Sequence, residues 1–284
     1  MRNFTLKSIC VASAALLFIT SCQKEATMPA GNQTDAVTVA KNSADANNML
    51  IDLVARINGV AFAKSTAMVS ESPDKFMGMM DQSGNCGNIS ISPLGNAFPK
   101  TITADFGEGC AIEGVSYKGK IIAVLSALPT MVGAKATLGF DKFSYSNIAV
   151  TGSAMYTNNG KNMSGNYTYS VTADLQRTGT PEQSYWLKGA VDAEFIKGAS
   201  TTDIADDEFS ITGAATLTDA AKTAYSVSIT KPLIKKMSCN WISSGTIENK
   251  FGSQAVSTLD FGTGTCDDKG TFTRKGVSQE VTLY

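Results

Sequence analysis

No histidine occurs anywhere in the 284 residues. Without one, neither a Ser-His-Asp nor a Cys-His arrangement can be built, and the commonest general base near neutral pH is missing. Charge is sparse as well: Asp, Glu, Lys and Arg make up 17% of the chain and the formal net charge is -1. That balance excludes a polybasic body that would hold nucleic acid through its overall charge. There is no Cys-x-x-Cys, which together with the missing histidine argues against a zinc site. No Gly-x-Gly-x-x-Gly or following Lys-Ser/Thr turns Gly107 and Gly109 into a phosphate cradle. Past Cys22, no apolar stretch approaches the roughly 20 residues that a membrane-crossing helix needs. Hydrophobic residues nevertheless reach 43%, which excludes disorder as the main state and provides for a substantial core.

The first residues have the layout of an export signal. Arg2 and Lys7 precede an apolar run from Ile9 to Ile19, too short to span a bilayer, which ends in Ile19-Thr20-Ser21-Cys22. These four residues resemble the lipobox of bacterial lipoproteins, in which the cysteine takes a diacylglycerol and cleavage leaves it as the new N-terminus. The expectation is a signal peptide over 1–21, lipid on Cys22, and membrane attachment through that lipid, since several acyl chains hold durably where one does not. Residues 22–42, rich in Ala, Thr, Asn and Gln, read as a flexible tether.

Residues 43–284 read as a single β-rich domain. It opens with an amphipathic helix over 43–59, with Met49, Leu50, Leu53, Val54 and Ile57 at helical spacing, Ser43 as its N-cap and Gly59 as its C-cap. Beyond Asn85 the period changes to two. Tyr167, Tyr169, Val171, Ala173 and Leu175 alternate with polar residues, and similar alternation runs over Tyr117 to Leu125, Tyr185 to Phe195, Phe209 to Leu217 and Tyr225 to Ile229. Several of these strands are long, so the predicted fold is mainly β: a large curved antiparallel sheet, either open and barrel-like or a sandwich, with one N-terminal helix.

Two segments resemble each other. One starts at Cys86 and ends in Asp105-Phe106-Gly107-Glu108-Gly109-Cys110. The other starts at Cys239 and ends in Asp260-Phe261-Gly262-Thr263-Gly264-Thr265-Cys266. In an antiparallel hairpin, paired positions have a constant sum, so joining Cys86 to Cys110 puts the turn near Phe98. Joining Cys239 to Cys266 puts it near Gly252. Both fall in local turn signals, and of three possible connectivities only this one brackets both hairpins. Oxidised cysteines suit an exported chain. The second segment, together with Asp207-Glu208-Phe209-Ser210-Ile211-Thr212-Gly213, Tyr225 to Leu233 and Cys239-Asn240-Trp241, resembles the C-terminal pattern of a family of uncharacterised lipoproteins from Bacteroidota, and Asp105 to Cys110 resembles that family's first copy. The resemblance implies a host group and no activity; the expected location is the outer membrane.

Candidates for chemistry are few. Asp105, Glu108, Asp260, Asp267 and Asp268 are the acids a glycosidase would need in pairs, but Asp and Gly after a strand more often build turns. The Asp260 to Asp268 run has oxygen donors enough for calcium, yet its spacing is not that of an EF-hand loop. Tyr185, Trp186 and Trp241 would stack on sugars if exposed, although aromatics in strands usually join the core. The expectation is a non-enzymatic, lipid-anchored envelope protein without cofactor, metal or nucleic-acid partner, whose β domain binds a glycan or envelope protein or has a structural role. The alternative is a carrier holding a lipid or other apolar ligand in a cavity of the curved sheet, beneath the helix.

Overall fold

The structure is a computed structural model and describes residues 33–62, 86–112, 114–201, 203–251 and 254–284. The signal segment and Cys22 lie outside these residues. One helix, α1 (Gln33–Phe62), precedes fourteen strands. In chain order these are β1 (Asn88–Ser92), β2 (Lys100–Asp105), β3 (Cys110–Ile112), β4 (Val115–Leu125), β5 (Lys135–Tyr145), β6 (Ile148–Lys161) and β7 (Tyr167–Thr178). They continue with β8 (Tyr185–Lys197), β9 (Glu208–Asp219), β10 (Ala224–Lys236), β11 (Ile242–Phe251), β12 (Gln254–Thr263), β13 (Lys269–Arg274) and β14 (Val277–Thr282). All fourteen belong to one open antiparallel sheet in which sequence neighbours pair, except that β2 pairs with β4 and the short β3 lies beside β4.

The alternation read from the sequence is the alternation of burial. On β7, Tyr169, Val171, Ala173, Leu175 and Arg177 point inward, while Thr172, Gln176 and Thr178 are exposed. Glycines let the sheet bend. Gly119 has φ +75°, and a Cβ there would sit 2.2 Å from the Lys142 carbonyl oxygen, where the β4–β5 register also slips. Gly245 has φ +108° and meets the Pro232 carbonyl oxygen in the same way. Such bulges raise local twist and turn a flat ladder into a curl.

The curl goes round α1. Every residue from Met49 to Ile57 is buried, which is two and a half turns of helix with no wet face. Asp52 in that stretch receives a hydrogen bond from Tyr117 of β4 and feels the charge of Lys235 of β10, six strands further along the sheet. The two limbs also touch directly, since a Cβ on Gly114, in the β3–β4 turn, would lie 3.5 Å from the Asn240 side chain before β11.

Several features of α1 differ from the sequence reading. The helix begins at Gln33, ten residues before Ser43, so residues 33–42 are helical and not tether. Ser43 is no cap: its hydroxyl oxygen lies 2.8 Å from the Val39 carbonyl oxygen one turn back and 2.5 Å from the Asn249 side chain of β11, within hydrogen-bond reach of both. The polar side of α1 is also enclosed, with Asn42, Ser43, Asn47, Asp52 and Arg56 all buried. Gly59, expected to close the helix, lies within it. Among the described residues no helix is long and apolar enough to cross a membrane.

Candidate functional site

The chemistry-bearing side chains converge on α1. Asp45 and Asp52, seven residues apart and so about 10 Å apart on one side of the helix, each meet a basic residue and a tyrosine. Arg56 Nε lies 3.1 Å from both carboxylate oxygens of Asp52, and the Tyr117 hydroxyl donates to the same carboxylate at 2.6 Å. Burial pushes this carboxyl up, but the charges of Arg56 and Lys235 and the hydrogen bonds from Arg56 and Tyr117 outweigh it and hold the group below the usual range. Burial and the adjacent Asp52 carboxylate push the Tyr117 phenol well above its ordinary value, so it remains a hydrogen-bond donor. Lys235, itself buried, donates to the Cys239 carbonyl.

Asp45 is held in the same style. It pairs with Arg177, the inward residue near the end of β7, and accepts a 2.7 Å hydrogen bond from Tyr185, the first residue of β8. Arg177 donates onward to the Tyr145 carbonyl at 3.1 Å. The repeated motif supports both acids. Phe106 stacks on Tyr117 with ring centres 5.1 Å apart. Phe261 lines a pocket with Asp45, Asn48, Trp241, Ile242, Leu283 and Tyr284 that measures about 10 Å³, room for about one water. Both acids are ion-paired, and the arrangement fixes the helix within the sheet.

The acids singled out from sequence lie elsewhere. Asp105 Oδ1 accepts from the Gly107 amide at 3.0 Å, and Asp260 Oδ1 from the Gly262 amide at 2.9 Å, so each caps the turn that its motif makes. Gly107, Gly109, Gly262 and Gly264 all have positive φ, the backbone reason for glycine at both sites of the motif. Asp105 pairs with Lys120, Glu108 with Lys118, Asp260 with Lys231 and Thr246, and Asp267 accepts from the Lys269 amide. Asp268 stands 3.8 Å from the Lys269 ammonium. Among the described residues no group of three or more Cys, Asp or Glu is placed to hold a metal ion. Tyr185 is core, as strand aromatics tend to be. Trp186 is 47% exposed and donates to Asp174, and Trp241 donates to the C-terminal Tyr284.

Disulfides join Cys86 to Cys110 and Cys239 to Cys266, with Cα atoms 5.3 and 5.7 Å apart. Each bridges the residue before a hairpin to the cysteine that ends the motif, so the repeat occupies the two opposite flanks of the sheet. Comparisons with protein-family models, with curated proteins and with solved structures find no match to this chain.

Sequence reasoning missed Asp45, Asp52, Arg56, Arg177, Tyr117 and Tyr185 as a set. The available signal was the Asp52–Arg56 spacing of four on a helix and an arginine at an inward strand position. One further acid stands out. Asp207, just before β9, is 7% exposed, and burial followed by the charges of Asp206 and Asp203 pushes it up to about 7.

Proposed function

We propose that this chain is a lipid-anchored envelope protein of the outer membrane, in which a sheet wrapped on its own helix serves a binding or structural role without catalytic turnover. The observation that carries this reading is an eleven-residue apolar run from Ile9 to Ile19 that ends in Ile19-Thr20-Ser21-Cys22. The use of the acids supports it: those in the repeated motif cap turns or pair with lysines, and Asp45 and Asp52 are committed to arginines. An acid or base that works on a substrate needs a proton to exchange and a cleft to exchange it in. The resemblance to Bacteroidota lipoproteins rests on the motif residues alone.

The carrier reading has less support, because the concave side of the sheet is occupied by α1. The decisive experiment follows labelled palmitate in cells that express the wild type and Cys22→Ala. Labelling of the wild type alone supports the anchor, and persistent labelling of Cys22→Ala defeats it. An envelope-protein and glycan pull-down with the labelled wild type then addresses the binding role. A turnover assay on a glycan panel that finds hydrolysis, lost in Asp45→Asn or Asp52→Asn, would defeat the non-enzymatic reading.

A further inference from the structure

Large apolar side chains stand exposed on this protein in an uneven pattern. Leu94 is 76% exposed, Met131 53%, Val132 74% and Met163 107%. These four sit in only three loops, β1–β2 (93–99), β4–β5 (126–134) and β6–β7 (162–166), and the ladders place those loops side by side at one end of the sheet. Lys100, which ends the first loop, pairs with Leu125, which begins the second. Val132 of the second packs over Gly160, next to the strand end that leads into the third. Val124, 41% exposed, lies on the outer face just below them.

The three loops are also stiff. From beneath, the buried Lys100 ammonium donates to the carbonyls of Pro93, at 2.9 Å, and Gly95. Asn158 grips the β4–β5 loop through Pro129 at 2.6 Å, and its own carbonyl receives the Gly133 amide at 2.7 Å. Asn162 Oδ1 accepts the amides of Ser164 and Asn166, and both asparagines are fixed by the Glu194 carboxylate at 2.8 and 2.7 Å. Water-facing loops built this firmly have no need of Leu, Met and Val at their tips.

Charge supplies the rest. The three loops contain no Asp, Glu, Lys or Arg, while Lys135 and Lys161 stand exposed at their foot, one just after the second loop and one just before the third. An apolar, uncharged tip with two lysines at its foot matches the layers of a bilayer, hydrocarbon first and anionic headgroups behind it.

We propose that this loop end is a membrane-docking surface: Leu94, Met131, Val132 and Met163 enter the outer hydrocarbon of a phospholipid bilayer, and Lys135 and Lys161 meet its anionic headgroups. The contact is separate from any lipid on Cys22.

The test uses the full chain reconstituted in vesicles, with a polarity-sensitive fluorophore on Met163→Cys or, as control, on Thr178→Cys at the far end of β7, some 36 Å away along an extended strand. Attachment to the vesicle is not the readout, so the result does not depend on how the N-terminus is held. In phosphatidylcholine vesicles containing phosphatidylglycerol, the label at 163 shifts to the blue and is quenched by a lipid-borne spin label, while that at 178 stays in water. Loss of both signals in a Met131→Asp, Val132→Asp double variant supports insertion. Weaker quenching in pure phosphatidylcholine, or in Lys135→Glu with Lys161→Glu, supports the headgroup contact, and equal quenching there refutes that contact. Equal quenching at 163 and 178 overturns the proposal. A blue shift at 163 that grows with protein concentration in the absence of vesicles overturns it in favour of a second copy.

Discussion

Asp45 and Asp52 stand two turns apart on α1, and each accepts a hydrogen bond from a tyrosine of the sheet, Tyr185 at 2.7 Å and Tyr117 at 2.6 Å. The equivalence makes the two sites comparable experiments. Removing the Asp52 carboxylate leaves the Arg56 guanidinium and the Lys235 ammonium without their buried counter-charge, which costs about 3 to 5 kcal/mol. Tyr117→Phe removes one hydrogen bond to a charged group and costs about 2 kcal/mol. Urea unfolding of Asp52→Asn, Tyr117→Phe and the pair should show strong non-additivity, because both changes remove the same bond.

Stability should fall on both sides of a mildly acidic optimum. The folded Asp52 carboxyl lies below its unfolded value, so its contribution is present above about pH 4 and is lost as the pH drops through the folded value. Asp207 works in the opposite sense. Its folded value of about 7 exceeds the unfolded one, so the native state holds the extra proton and stability declines as the pH rises from about 4 to 7. Asp207→Asn should therefore raise Tm at pH 8 relative to wild type by more than it does at pH 5. An equal change at both values would contradict the assignment.

Each disulfide closes a loop, over a sequence separation of 24 from Cys86 to Cys110 and of 27 from Cys239 to Cys266. Loops of that length restrict the unfolded chain by about 3 kcal/mol each. Cys239→Ser with Cys266→Ser, and the corresponding pair at 86 and 110, should lower stability by similar amounts. Non-reducing peptide mapping of the wild type should recover both links and no cross-link between the two flanks.

Asp105→Asn and Asp260→Asn test the motif as a turn. Each loses a solvent-screened ion pair with a lysine but keeps a side-chain oxygen for the amide two residues on, so each should lower Tm only slightly. Gly107→Val and Gly262→Val, at φ +55° and +81°, should cost more. Thermal melts rank the four variants.

The sequence was legible where side-chain size carried the period. β4, β7, β8, β9 and β10 place Tyr, Phe, Leu, Ile and Val on the inner face, and their alternation can be read directly. β6 was illegible because its inner positions run through Ala154, Asn158 and Gly160, small or polar groups that give no apolar signal. β5 was hidden by the register slip between Gly139 and Ser144, which breaks the count of two between Leu138 and Phe143. The cysteine partners followed from turn symmetry even though the first register was off. Asn88 pairs with Asp105, so that hairpin turns nearer Asn96 than Phe98 and Cys110 belongs to the next strand. The first turns of α1 were missed because its inward residues there, Ala36, Val39 and Ala40, are small. The buried acids were out of reach because their partners are set by how far the sheet rolls, which no local pattern encodes.

The enclosure of α1 also dictates the order of assembly. The helix leaves the ribosome before any strand, yet its anchors are remote: Tyr117 is 65 residues from Asp52, Arg177 132 from Asp45, and Asn249 206 from Ser43. Until β11 exists the helix has nowhere to put Ser43, and until β4, β7 and β8 exist its acids have no partners. A topology so dominated by distant contacts folds slowly and completes late. Only with all fourteen strands delivered can the sheet shut around its first element.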